Sequence, residues 1–388
     1  MLLAISVGVF VPAVPWLGNP SNLTALLLLI CLIAGGRTRA IRDLLYGIVL
    51  VASLAVVATV TGLLLTNEAY VFNPNPFVVF LRIQICYLAI RGANDVGKMQ
   101  LSLLWIGVAT SAFSVGQFFL PSFSDFTRTY YLAAERITVF GSGLDNDAVV
   151  RVIGPYENPS SVALVSILLL LFTFHLYSQK RLSFIWVLFC SALNILAGLF
   201  SLSKLFFITA PLLLIQLFAL SYRRTVVMVI AITMIAADIF FMQDNVLVDV
   251  VRYAMNAAID PTVALEGRYL GEQLEAVFGS PIFGYGLIEL SDVVINDSAY
   301  LSIAYLIGGF GLFVLSALLT VWVLRRRSVL PVTFFLMIAT IMVAGIGGNS
   351  ILGYRLDIFL SALCSVLYLN SRFSKQHNLH AYHRNSNV

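Results

Sequence analysis

Four basic residues lie at or just inside the ends of long apolar runs, where a cation could bind an anionic group. They are Arg82, Arg151, Lys204 and Arg355. Each could simply extend its charge to a membrane surface or pair with a carboxylate, as Arg355 could with Asp357. The alternative is that several converge on a phosphate, because a guanidinium group binds phosphate oxygens through two parallel hydrogen bonds.

Two further charged positions lie in the long polar stretch between the later apolar runs. Asp297 directly precedes an apolar run. It could cap the first turn of a helix, or act as a general base that takes a proton from an attacking hydroxyl. Arg268 and Glu272 are four residues apart on a predicted helix over 262–278, a spacing that is also typical of a surface ion pair.

The composition predicts that these residues are positioned by membrane-spanning helices. The 388 residues are 60% hydrophobic and 11% charged, and the mean hydropathy is +0.94. Ordinary soluble domains do not have such values. Apolar runs predict an all-α membrane protein of about twelve spans, or ten to twelve because Pro12 and Pro15 interrupt the first pair. The spans are roughly 2–18, 22–36, 41–65, 76–91, 99–120, 159–177, 182–200, 204–221, 224–242, 298–323, 329–347 and 351–370.

The connections between these spans alternate in charge. One alternate set is short and basic, and such loops stay in the cytoplasm. Its basic residues are Arg37, Arg39, Arg42, Arg91, Lys98, Lys180, Arg181, Arg223, Arg224, Arg325, Arg326, Arg327, Arg372, Lys375 and Arg384. We therefore expect residues 1–388 to form a single polytopic domain with both termini and the tail 371–388 in the cytoplasm. The long acidic loops 121–158 and 243–297 then face outward, and function is expected there.

Several function classes are disfavoured by what the sequence lacks. No Walker, GxSxG or HExxH motif occurs, and no basic soluble stretch indicates nucleic-acid binding. The four cysteines lie inside predicted spans, so no disulfide framework is predicted. Asp145-Asn146-Asp147 matches a short metal-binding pattern, but neighbouring glycines indicate a turn. We predict no metal site and no cofactor.

Five short motifs, in this order and topology, resemble the O-antigen polymerase and O-antigen ligase superfamily of bacterial polysaccharide assembly. The first loop ends in Arg151-Val-Ile-Gly-Pro-Tyr156-Glu157-Asn158-Pro159, and a Ser201-Leu-Ser-Lys204 turn follows. The second loop holds Gly267-Arg268, then Ser280-Pro-Ile-Phe-Gly-Tyr285-Gly286, then Asn296-Asp297-Ser-Ala-Tyr300-Leu301. The resemblance is strongest over 151–311.

The resemblance implies a GT-C-like, metal-independent glycosyltransferase of the bacterial inner membrane with a periplasmic active site. Polymerases of this family move a growing glycan from undecaprenyl pyrophosphate onto the next lipid-linked repeat unit of an O-antigen or exopolysaccharide. The implied partners are undecaprenyl-pyrophosphate-linked glycans, membrane lipid and a separate chain-length regulator.

The resemblance also assigns roles to individual residues. Arg151 and Arg268 match the loop arginines expected to hold the pyrophosphate, and Asp297 stands where ligases tend to carry a histidine. That departure favours a polymerase and leaves the base open, with Glu157, Glu289 and Asp292 as alternatives. Lys204 stands where the family more often has Arg. The predicted substrate contacts are Arg82, Lys204, Arg355, Tyr156, Glu157, Asn158, Tyr285 and Tyr300.

Two alternative functions stay open at this point. One is ligation of O-antigen to the lipid A core of lipopolysaccharide, and the other is a flippase for lipid-linked oligosaccharides. A transporter usually shows pseudo-symmetric halves and binding residues near the midplane. Here the polar residues gather toward one face, which favours the polymerase.

Overall fold

The fold is seen in a computed structural model, which describes most but not all of the chain. The described residues are 1–12, 20–65, 70–93, 95–131, 152–156, 158–201, 203–217, 224–231, 233, 270–290, 298–326, 330–346 and 356–369. They are mostly helical, as the apolar runs predict. Every predicted span contains a helix within them.

Thirteen α-helices with defined ends and one 3-10 helix, Gly154–Tyr156, occur in this part of the chain, and residues 224–231 are also helical. The helices are α1 Leu2–Phe10, α2 Pro20–Ala34, α3 Thr38–Leu65, α4 Asn75–Arg91, α5 Val96–Phe119, α6 Pro121–Tyr131, α7 Pro159–Ser178, α8 Phe184–Phe200, α9 Lys204–Leu217, α10 Leu270–Gly279, α11 Ala299–Arg326, α12 Val332–Ile346 and α13 Leu356–Leu369. Two short strands, β1 Tyr70–Phe72 and β2 Ile288–Leu290, pair antiparallel with Val71 opposite Glu289.

Four helices are long and apolar enough to cross a membrane: α3, α5, α7 and α11. Helices α2, α8, α12 and α13, and α9 from Leu205, are apolar but shorter. This arrangement fits an all-α membrane protein, while the count of twelve spans and a GT-C-like architecture stay predictions. The predicted loop 121–158 contains α6, and the helix predicted over 262–278 is described from Leu270 and ends at Gly279. A helix predicted over 245–258 lies outside the described residues.

The chain divides into two compact units. The first comprises Met1–Gly8, Ser21–Leu103 and Arg268–Val388, and the second comprises Val9–Pro20 and Leu104–Gly267. In the second unit α7 is the central helix, because 89% of its 18-residue apolar stretch is buried. It packs antiparallel against α8. Trp105 of α5 meets Trp186 of α8 edge to face, with 5.0 Å between ring centroids.

In the first unit, charged residues from two of the predicted cytoplasmic connections lie at one end of the α3–α4 pair. Arg91 Nη1 lies 3.1 Å from Asp43 Oδ2. A Cβ at Gly92 would collide with the guanidinium of Arg37. Strands β1 and β2 lie at the opposite end, where the α3–α4 connection meets the second long loop. Connections with one predicted sidedness therefore lie together, and the charge-based topology stays a prediction.

Candidate functional site

The structure describes some of the predicted site residues and not others. Arg82, Tyr156, Asn158, Tyr285 and Tyr300 are described. Lys204 begins α9, but its side chain is not part of the description. The residues outside the described part are Arg151, Glu157, Arg268, Asp292, Asp297 and Arg355. Their predicted roles stay predictions, and the site is built below from the segments that flank them.

The segment after Arg151 is fastened to α5 by one glutamine. Gln117 Oε1 accepts hydrogen bonds from the backbone N–H groups of Ile153 (3.2 Å) and Gly154 (2.9 Å). Gly154 has a φ of 54°, and a Cβ there would lie 2.5 Å from Ser114 Oγ. Glycine alone adopts this left-handed conformation without strain. The Gly154 of the motif is therefore explained by the fold of the segment.

The same segment is also joined to the turn that precedes Lys204. The N–H of Val152 donates to the carbonyl of Phe200 at 3.1 Å, where α8 ends. Phe200 stacks on Phe118 with 4.0 Å between ring centroids. The turn itself is closed by Ser201, whose Oγ donates to the carbonyl of Gly198. Backbone positions next to Arg151 and Lys204 are thus held at one end of this unit.

Two motif residues of this segment have defined structural partners. Asn158 caps α7, because its Oδ1 accepts from the N–H of Ser160 at 2.8 Å and Pro159 occupies the first turn. Tyr156 is buried, with Thr110 beside its hydroxyl, and burial raises the pKa of that hydroxyl. A substrate contact by either residue stays a prediction.

In the first unit, the segment that contains Tyr285 is inserted at a break in α11. Gly308 has φ 76° and ψ 162°, which interrupts the helix. The Tyr305 carbonyl instead accepts from the N–H of Tyr285 at 2.7 Å, and the Leu306 carbonyl from Gly286 at 3.0 Å. The break in the helical hydrogen bonds is thus satisfied by the inserted loop, as a backbone buried in the protein requires.

Close packing explains the glycine that precedes Tyr285 in this motif. Gly284 has a φ of 70°, and a Cβ there would lie 2.5 Å from the Tyr305 carbonyl oxygen. Ser280 Oγ donates to the carbonyl of Gly284 at 2.8 Å, which closes the turn. The N–H of Leu287 donates to Thr59 Oγ1 of α3 at 3.0 Å. The loop is therefore held by both α3 and α11.

The two described tyrosines of the second loop region contact protein groups. The ring of Tyr285 is buried and stacks on Tyr305, with 4.9 Å between centroids. Tyr300 Oη donates to the carbonyl of Met342 at 2.8 Å and so links α11 to α12. These contacts fix both side chains in place. Their predicted contacts with substrate stay predictions.

Arg82 is engaged in a buried ion pair that the sequence did not single out. Its Nε lies 2.7 Å from Asp357 Oδ2, and its Nη1 donates to Asn22 Oδ1 at 3.1 Å. Both charged residues are at most 3% exposed. The cluster connects α4, α13 and α2. Asp357 is an acid inside an apolar run, which is a signal that the sequence does contain. The partner expected for it was its neighbour Arg355, not Arg82.

Glu289, one of the alternative bases, is held by an amide. Asn73 Nδ2 donates to Glu289 Oε2 at 2.9 Å, and Asn73 Oδ1 accepts from the N–H of Asn75 at 3.0 Å. The carboxylate of Glu289 is exposed at the β1–β2 pair. Asn73 and Gln117 are side chains that the sequence did not identify, and a polar residue near the end of an apolar run was the only available signal.

Comparison of the chain with family models, curated proteins and solved structures found no match. The functional assignment therefore depends on the motifs and on the geometry described above.

Proposed function

We propose that this protein is a membrane glycosyltransferase that polymerises undecaprenyl-pyrophosphate-linked repeat units at the periplasmic face. The observation that carries the proposal is the 3.1 Å hydrogen bond from Val152 to Phe200. It joins the backbone next to Arg151 to the turn that leads into Lys204. The described neighbours of two basic motif residues, distant in sequence, are thereby held together in one unit, and this supports a shared binding site for an anionic group.

The proposed chemistry is a single displacement at the anomeric carbon of the donor. A hydroxyl oxygen of the acceptor sugar attacks this carbon while its bond to the pyrophosphate oxygen breaks. The pyrophosphate takes the bonding electron pair and stays on its lipid. Arg151 and Arg268 stabilise the charge that develops on it, and Asp297 takes the proton of the attacking hydroxyl. Inversion at the anomeric carbon follows from one displacement.

The described contacts that support this proposal hold the segments next to the proposed residues within each unit. Gln117 and Phe200 hold the segment after Arg151. The inserted loop holds the end of α10, which begins two residues after Arg268. A preorganised frame matters because charge stabilisation is most effective when the cations need no reorganisation during the reaction.

A genetic experiment tests the proposal. The gene is deleted in its host and complemented with wild type, Arg151→Ala, Arg268→Ala or the matching lysine variants. We expect the deletion host and both alanine variants to make single-repeat surface glycan, and the lysine variants to recover poorly because Lys lacks the bidentate geometry. Arg128→Ala is the matched control, since this arginine of the same predicted loop as Arg151 belongs to no motif.

Three results would contradict the polymerase or the roles proposed for its arginines. Unchanged glycan ladders in the alanine variants would reject the arginine roles. Complete loss of glycan from the lipid A core on deletion would indicate a ligase, and lipid-linked units trapped on the cytoplasmic side would indicate a flippase. Immunoblots of the membrane fraction verify that each variant inserts.

A further inference from the structure

Helix α10 of the second long loop has three different faces. Ala276 and Val277 are buried against the rest of the first unit. Leu274 and Phe278, four residues apart and hence on one side of the helix, are exposed, Phe278 by 71%. Glu275 is exposed on the third face. A helix with core, apolar exposed and charged faces is typical of a position at a membrane surface.

The apolar exposed face of α10 continues into the turn that follows it and then into α11. Ile282 and Phe283 are exposed in that turn. The carbonyl of Pro281 accepts from the N–H of Phe310 at 3.1 Å. Phe310 and Phe313 are exposed on α11, one of the four helices able to cross a membrane. The exposed face of α10 and its turn is therefore continuous with a surface that a membrane would cover.

The lengths of two helices place this turn at the same depth in a membrane. From Gly308 to Arg326, α11 rises about 27 Å at about 1.5 Å per residue. From Asp43, which pairs with Arg91, α3 rises about 29 Å to Gly62. A Cβ at Gly62 would lie 2.9 Å from the backbone of Tyr285. Both lengths match the hydrocarbon core of a bilayer, which is about 30 Å thick. With the charged ends at one membrane surface, the inserted loop lies at the other.

We propose that α10 and the 281–283 turn are an interfacial anchor that inserts into membrane lipid. Leu274, Phe278, Ile282 and Phe283 enter the acyl-chain boundary of the leaflet opposite the Arg326 end. Lipid is the occupant because the patch continues into the lipid-facing side of α11 at the depth where the hydrocarbon ends. The anchor places the start of α10 at the level of lipid headgroups. It does not depend on the proposed glycosyl transfer.

Fluorescence quenching in nanodiscs tests the anchor with the full-length protein. The background carries Cys31→Ala and Cys364→Ala, which leaves the two cysteines that are buried. Phe278→Cys is compared with Glu275→Cys as a matched control on the same helix, each labelled with a polarity-sensitive fluorophore. We expect a blue-shifted emission at position 278. Lipids with a nitroxide near the headgroup should quench it more strongly than lipids with a nitroxide at the chain end, and the label at 275 should resemble one in water.

Leu274→Cys provides a second variant of the same face if Phe278→Cys does not give a monodisperse protein. Water-like emission at both apolar positions, or equal quenching at 275 and 278, would overturn the anchor. Stronger quenching by the chain-end nitroxide would also overturn it, since the helix would then be deeply buried. If the label at 278 is shielded from lipid and position 278 cross-links to a second copy of the chain, this face is covered by protein, and the lipid anchor is wrong.

Discussion

Replacing Asp357 by alanine tests the buried ion pair of the first unit. The substitution leaves the guanidinium of Arg82 without its carboxylate in a place where its residue is 3% exposed. The site is closed to bulk water, and removing one member of a buried pair typically costs about 3–5 kcal/mol. We expect Asp357→Ala to lower the free energy of unfolding by an amount of that order.

The chain offers a matched control in its exposed ion pair. Arg91 and Asp43 also approach within 3.1 Å, but their side chains are 37% and 35% exposed. An exposed pair contributes about 0–1 kcal/mol. Asp43→Ala should therefore change the free energy of unfolding much less than Asp357→Ala. The measurement is a denaturing-detergent titration of the purified protein, followed by circular dichroism.

A double variant separates an uncompensated charge from lost packing. Arg82→Leu combined with Asp357→Leu removes both charges, and replacement of a whole buried pair by apolar side chains is often neutral. We expect this double variant to be more stable than Asp357→Ala. If Asp357→Ala unfolds like Asp43→Ala, or if the double variant is as unstable as the single one, the reasoning about the buried pair is wrong.

Three further substitutions test the segments that frame the candidate site, each by the same unfolding titration. Gly284→Ala should be more destabilising than Gly36→Ala, because both positions have positive φ but only the former places a Cβ against backbone; equal losses would contradict the close packing. Asn158→Ala should cost about 0.5–2 kcal/mol through the lost helix cap, and Asn158→Ser should retain most of the stability. Gln117→Leu leaves two backbone N–H groups without their acceptor, at roughly 1–3 kcal/mol each, whereas Gln117→Glu keeps an acceptor. A Gln117→Leu variant as stable as wild type would show that this contact is dispensable.

The helices could be predicted from the sequence because their signal is local. Long apolar runs with few charges can satisfy their backbone only as helices in a membrane, and each of these runs contains a helix in the described residues. The break at Gly308 was not predicted, since a single glycine in an apolar run is compatible with a continuous helix. The loop that fills the break comes from residues 280–286. A sequence pattern does not reveal such a pairing.

The candidate site was predictable in its segments but less so in its contacts. The motifs located Tyr156 and Tyr285 in the two long loops, and the structure holds both motif regions by several hydrogen bonds. It did not reveal that Gln117 fastens one of them, or that Asp357 pairs with Arg82. Such partners are far apart in sequence, and a single polar residue in a span gives no sign of which helix it will face.

Synthesis by the purified protein tests the central claim most directly. The protein is reconstituted in vesicles with lipid-linked repeat units as the only substrate, without nucleotide sugar and with a chelator present. We predict a ladder of lipid-linked glycans that lengthens with time and is absent with Arg268→Ala. If folded wild-type protein leaves only the supplied single-repeat units, the proposed polymerisation is contradicted.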